Sequence, residues 1–148
     1  MVGDPATFGI LTVSDRANSG EYEDEGGPAI LGFLNEAVAS DWSHHYRIVP
    51  DESAIISEAL IEMVDELGCD VVVTTGGTGP AERDVTPEAT MAVCDRILPG
   101  FGEQMRMISL QYVPTAILSR QLGGTRGKSL IFNLPGRPKA IRETIDEL

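Results

Sequence analysis

Residues 71–90, VVVTTGGTGPAERDVTPEAT, leave a chain few ways to fold. Three valines running into Thr74-Thr75 read as the end of a strand buried on both faces, the pattern of a parallel sheet. Gly76, Gly77 and Gly79, with Thr78 among them, let the backbone turn tightly and approach a ligand closely. Thr86-Pro87 reads as a helix start, with Thr86 as the N-cap and Pro87 in the first helical position. Strand, glycine turn and helix N-terminus together present backbone N–H groups to an anion. The loop over residues 76–85 is longer than the roughly 2–6 residues usual between a strand and a helix, and it carries Arg83 and Asp84. It is not a P-loop, since no Gly-Lys-Ser/Thr follows, and it lacks the G-x-G-x-x-G spacing of a dinucleotide site. The glycines alone fit either a tight turn or an anion site; the Arg-Asp pair and the Thr-Pro start point to the second.

The same alternation is readable on either side. Residues 8–13 (FGILTV) form a first buried strand ending in Ser14-Asp15-Arg16. Those polar groups either start a turn or face a ligand at the carboxyl end of the strand, where open α/β sheets bind. The acidic run Glu21, Glu23, Asp24, Glu25 reads as a solvated face, and no ligand spacing supports a metal role for it. Pro28 opens a helix with Ile30, Leu31, Leu34, Ala37 and Val38 on one face. His44-His45 read as loop before a strand over residues 46–49, and Pro50-Asp51-Glu52 closes that strand ahead of a helix capped by Ser53. Ile56, Leu60, Met63 and Leu67 carry the helical spacing. Asp51 is thus an acid at a second strand end, which by itself is also what a plain helix start looks like.

Beyond the glycine loop, the spacing of Met91, Cys94 and Leu98 predicts a helix from Pro87 to about Leu98 with Cys94 in the core. Pro99-Gly100 breaks it, and Phe101, Met105 and Ile108 mark another helical segment. Residues 114–122 read as a short helix or turn carrying Ser119-Arg120, either a phosphate-binding hydroxyl–guanidinium pair or an exposed helix end. Residues 123–127 read as a turn-rich link, residues 130–134 as a fourth strand, and Pro135-Gly136 leads into a last helix with Ile141, Ile145 and Leu148 on one face. The β-α-β order predicts one domain over residues 1–148: an α/β, three-layer, doubly wound and mostly parallel sheet with helices on both faces.

Composition narrows the partners. The chain has 148 residues, 42% of them hydrophobic, and a net charge of −12, which argues against nucleic acid or an anionic membrane. Residues 1–70 hold 15 acidic and 2 basic side chains, whereas residues 71–148 hold 8 and 9. A small anionic ligand is compatible with that field, because exposed charges further off than about 8 Å are largely screened. No apolar run reaches membrane-span length and no signal-peptide pattern opens the chain, so a cytoplasmic location is expected. Cys69 and Cys94 are too few and too far apart for a disulfide framework or a zinc site.

Ser14-Asp15, Asp51, the glycine loop through Asp84, and Pro135-Gly136 all fall at predicted carboxyl ends of strands, so a parallel sheet would gather them on one edge. Two carboxylates, an anion cradle and a Ser-Arg pair suit Mg²⁺-assisted chemistry on phosphates. From residue 10 to about residue 145 the chain resembles the molybdopterin adenylyltransferase family of molybdenum cofactor biosynthesis, the bacterial MogA type. The resemblance rests on SDRANSGEYEDEGGPAI, PDE at 50–52, TTGGTGPAERDVTPEAT, PGFGEQMR at 99–106, the ILSR ending at Arg120, and NLPGRPKAI at 133–141. It implies transfer of AMP from ATP to the terminal phosphate of molybdopterin, with release of pyrophosphate. It places the functional aspartates on Asp51 and Asp84, either of which would help hold Mg²⁺, and the phosphate loop on Gly76, Gly77, Thr78 and Gly79 after Thr75. It puts a substrate phosphate on Ser119-Arg120. It also implies a homotrimer and allows a downstream molybdenum-inserting enzyme as partner. Family members continue through a further strand and tail past the residue matching Leu148, so the C-terminal end of the family domain is expected to be missing. Rival readings are a non-catalytic pterin-binding or scaffold module of this fold, a B-type relative, and an amidohydrolase built on a related domain. Intact Asp51 and Asp84 favour the transferase, and no nucleophile suits the hydrolase.

Overall fold

The computed structural model describes residues 4–148. Strand β1 (Ala6–Val13) is followed by the helical turn α1 (Asp15–Asn18), helix α2 (Gly26–Ala37), strand β2 (Trp42–Val49) and helix α3 (Ser53–Ile61). Next come β3 (Val71–Thr75), α4 (Thr86–Val93), the short β4 (Arg96–Ile97) and α5 (Pro99–Leu110). A 3₁₀ turn (Pro114–Leu118), β5 (Gly123–Arg126), β6 (Ser129–Leu134) and α6 (Pro138–Ile145) complete the order. The six strands form one sheet in the order β2-β1-β3-β6-β5-β4. The first four are mutually parallel, and β5 and β4 run antiparallel at the far edge.

Alternation along the central strands divides the core between the two faces of the sheet. Leu11, Val72 and Ile131 pack with Ile56, Leu60 and Met63 of the α3 region and with Ala89 and Val93 of α4. Their neighbours Ile10, Val73 and Phe132 point the other way, against Ile30 and Leu34 of α2, Met105 of α5 and Ile141 of α6. This is the three-layer arrangement that continuous apolar strands flanked by amphipathic helices demand.

Several boundaries differ from the sequence reading, each for a local reason. Strand β2 starts at Trp42, so His44 and His45 are strand residues and not loop; the strand lies on the sheet edge, where exposed polar side chains are tolerated. Helix α2 begins at Gly26, two residues before Pro28. Ser53 is the first residue of α3 and Glu52 its cap, without a side-chain bond. After Ile61 that helix continues through a π-helical turn, Glu62–Glu66. Helix α4 stops at Val93: Cys94 is extended, Asp95 N donates to Thr125 O at 2.7 Å and Leu98 N to Gly123 O at 2.8 Å, forming β4. Cys94 is partly buried against the core, but Met91 is exposed. The expected link at 123–127 is instead β5, paired antiparallel with β6. A Cβ on Gly123 would lie 2.7 Å from Phe101, and one on Gly124 2.8 Å from the Cys94 sulfur, so glycine here answers to packing. Leu148, expected on the buried face of α6, is exposed.

Candidate functional site

The parallel register brings four strand ends together. Val13 lies opposite Val49, and Thr75 opposite both Thr12 and Leu134. Ser14 N donates to Val49 O at 2.9 Å and Gly76 N to Leu134 O at 3.2 Å, so the chain leaves each strand already joined to its neighbour. The Thr75 hydroxyl donates to Pro135 O at 2.7 Å, which fixes the start of the Pro135-Gly136 corner. Beyond this edge opens a hollow of roughly 540 Å³ lined by Ser14, Asp15, Asp51, Gly76, Gly77 and Asp84, among others. That volume is within the usual range for a small-molecule site.

Its acids are ordered by one another's backbones. Asp15 N donates to the Asp51 carboxylate at 2.9 Å, and Asp51 N donates to the Asp15 carboxylate at 3.0 Å. Arg83 then grips Asp15 with Nε at 2.6 Å and a terminal nitrogen at 2.9 Å, tying the glycine loop to the end of β1. The Arg83 hydrogen bonds and the Asp51 backbone hold the Asp15 carboxyl below its usual range. Burial pushes Asp51 the other way, above its usual range, with the Asp15 and Asp84 charges adding to the rise. Asp51 and Asp84 therefore share one electrostatic environment. Asp84 accepts from Ala81 N at 3.1 Å, folding its own loop back on itself.

Gly76 and Gly77 have positive φ, +97° and +68°, and both line the hollow. A Cβ on Gly76 would collide with Val13 O, and one on Gly77 with the Thr86 hydroxyl while approaching Asp51 to 3.2 Å. Only glycine permits this turn to run between two strand ends and against an aspartate. Thr86 is not the N-cap of α4. Val85 holds that position, and the buried Thr86 hydroxyl donates to Gly76 O at 2.9 Å while its N–H donates to Gly77 O at 3.1 Å. The hydroxyl that sequence assigns to the helix thus secures the glycine turn.

Thr78, Gly79, Ser119 and Pro135, also singled out from the sequence, lie on a neighbouring hollow of roughly 540 Å³ together with Gln121, Tyr112, Val113 and Leu118. Gly136 and Arg137 line both hollows and form the ridge between them. Ser119 donates to the buried Gln121 side chain at 2.5 Å, and Gln121 in turn donates to Asn133 O at 3.2 Å. Arg120 is turned away from this surface. Its guanidinium donates to Gly79 O at 2.9 Å, Asp84 O at 2.5 Å and both Glu88 oxygens at 2.7 Å, bracing the loop that carries Asp84. The Ser-Arg pair is therefore split: Ser119 faces a hollow, and Arg120 is a loop clamp in this structure.

Asp24 belongs to an acidic run whose letters read as a solvated face, and the structure places it otherwise. It is partly buried on the first hollow and accepts from the Thr12 hydroxyl at 2.8 Å, the Gly26 N–H at 3.0 Å, the Gly27 N–H and the Tyr46 phenol. An acid two residues before a helix is the one available signal for such a role. Tyr22 shares a 2.7 Å hydrogen bond with Ser14, and nothing in its spacing announces that contact. Among the described residues no group of three or more His, Cys, Asp or Glu side chains is arranged to hold a metal by itself.

Residues 9–148 match the family model described as a probable molybdopterin binding domain. The chain belongs to this family. It is 58% identical over 139 residues to the molybdopterin adenylyltransferase of Escherichia coli K12, covering 94% of this chain and 71% of that one. Its identity to the molybdopterin adenylyltransferase of Helicobacter pylori J99 is 61% over 139 residues, covering 94% and 79%. The fold superposes on the molybdopterin biosynthesis enzyme MoaB of Thermus thermophilus with a TM-score of 0.86 at 43% identity, over 96% of this chain and 88% of that one. Both expectations, the family and the mixed, mostly parallel α/β sheet, agree with these likenesses.

Proposed function

We propose that the protein is a molybdopterin adenylyltransferase, joining AMP from ATP to the terminal phosphate of molybdopterin and releasing pyrophosphate. The observation that carries this reading is the convergence of Asp51 and Asp84 on the glycine turn at 76–77, beside a second hollow across the Gly136-Arg137 ridge. A transferase that joins two substrates needs two adjoining sites with the reacting phosphates at their border. The names and high identity of the relatives support the same reaction.

In this reading the turn at Gly76 and Gly77 receives the phosphates of ATP, and the Asp15–Arg83 grip keeps the loop in place over them. Asp51 and Asp84 each have one oxygen engaged, by Asp15 N and Ala81 N, and the second free of hydrogen bonds among the described residues. Two such carboxylates fit a Mg²⁺ ion whose remaining ligands are phosphate oxygens and water, the usual way that ion is held. When bound, Mg²⁺ would supply charge neutralisation for the pyrophosphate leaving group. Self-association as a trimer is part of the proposal. Exposed apolar side chains at the end of α5 and in the 3₁₀ turn, Met107, Leu110 and Ile117, support a subunit contact there. No helix among the described residues is long and apolar enough to cross a membrane; a cytoplasmic location and a molybdenum-inserting partner downstream are part of the same proposal.

The test is direct. Purified protein given ATP, Mg²⁺ and molybdopterin should form adenylylated pterin and pyrophosphate, and Asp84→Asn should lower turnover far more than pterin affinity. Nucleotide binding without turnover would leave a binding module of the same fold.

A further inference from the structure

The reaction joins two anions, and the first hollow is itself acidic. Five carboxylates line it, those of Asp15, Asp24, Glu25, Asp51 and Asp84, against the cations Arg16 and Arg137. Arg16 is exposed and lies over the Tyr22 ring, 5.5 Å from its centroid. Arg83, which answers Asp15, is spent on that pair. The second hollow has Arg137 and Lys139, and Lys139 pairs with Glu143 at 3.7 Å. Arg137 is thus the one cation common to both hollows, and among the described residues its guanidinium makes neither an ion pair nor a side-chain hydrogen bond. Its backbone is set by its surroundings: Pro138 occupies the first turn of α6, and Gly136 sits close enough to Gly76 that a Cβ would lie 3.5 Å from the Gly76 Cα.

We propose that Arg137 is a phosphate-binding residue that bridges the two hollows, contacting the nucleotide phosphates on one side and the pterin phosphate on the other. The inference rests on the transferase reading above. In the step it serves, a terminal phosphate oxygen of the pterin bonds to the α-phosphorus of ATP. The bond from that phosphorus to the bridging oxygen breaks, and pyrophosphate leaves with the electron pair. Arg137 moves no proton, because a guanidinium stays charged throughout the physiological range. It lowers the like-charge repulsion between two phosphates brought into a site already crowded with carboxylates, where repulsion grows as water is excluded. Its planar fork suits simultaneous contact with two phosphate oxygens.

Arg137→Ala and Arg137→Lys separate this role from a structural one. The Ala variant should melt with the wild type, since the side chain is exposed and unbonded. It should raise KM for ATP and for molybdopterin, lose at least about tenfold in kcat/KM for each, and bind inorganic pyrophosphate more weakly in calorimetry. The Lys variant should recover part of both losses through its charge. A loss confined to one substrate, or pyrophosphate binding unchanged in the Ala variant, would overturn the bridging assignment. If the wild type made no adenylylated pterin, the transferase reading would fall, while the pyrophosphate comparison would still decide whether Arg137 binds phosphate.

Discussion

Removing the Arg120 side chain should loosen the loop that carries Asp84, because its guanidinium is bonded to Gly79 O, Asp84 O and Glu88. The sequence leaves Ser119-Arg120 as either a phosphate-binding pair or an exposed helix end; in the structure Arg120 braces the Asp84 loop. Arg120→Ala would remove donors to Gly79 O and Asp84 O and the pair with Glu88. The pair is partly exposed on both sides, 39% and 43%, so screening limits it to about 0.5 kcal/mol. The two carbonyl bonds add about 1 kcal/mol each. The loss is about 2.5 kcal/mol, a fall in Tm of roughly 5–10 °C for a domain of this size. Glu88→Gln, which keeps both carbonyl bonds, should cost only about 1–2 °C. A loop that lets Asp84 drift by an ångström can lose about 100-fold in rate, so Arg120→Ala should lower kcat with little change in either KM. Calorimetry and steady-state kinetics on the two variants test this together. An Ala variant with unchanged Tm and kcat but a raised KM would refute the clamp and restore the phosphate-ligand reading.

Two further outcomes follow from the same edge of the sheet. Gly76→Ala should destabilise the protein by about 2–4 kcal/mol, combining the cost of a positive φ with the collision against Val13 O; denaturant unfolding reads it, and an unchanged midpoint would show that the turn relaxes freely. Asp51, raised by burial, is penalised when ionised, so the fold loses stability as pH climbs from the ordinary carboxylate value of 3.8 through the raised one. Asp51→Asn should therefore match the wild type in thermal melts at about pH 3.5 and exceed it at about pH 7, while turnover falls about 100-fold; a variant less stable at neutral pH would contradict the burial argument.

The central strands and the glycine turn were legible because their signals are local. Three valines before a glycine cluster read the same way in isolation as in the sheet, and parallel β1, β3 and β6 follow from them. Asp51, just past the end of β2, and the loop that leaves β3 and carries Asp84 are legible at the carboxyl edge because that edge is a consequence of parallel topology. What could not be read were side-chain partners distant in sequence. Thr86 has the letters of an N-cap, yet its hydroxyl is taken by Gly76 O. Asp24 has the letters of a solvated acid, yet its oxygens are claimed by Thr12 and Tyr46 from two neighbouring strands. The strand at Gly123–Arg126 was missed because its glycines answer to Phe101 and Cys94, contacts that no short-range propensity encodes.

In the proposed reaction the nucleotide phosphates lie on the turn at Gly76 and Gly77, between Asp51 and Asp84. A crystal structure with a non-hydrolysable ATP analogue and Mg²⁺ tests it most directly. The phosphates should sit over that turn, with an oxygen of Asp51 or Asp84 on the metal and Arg120 still bonded to Glu88. Nucleotide seated elsewhere, with both aspartates and the glycine turn untouched, would rule out this phosphate site.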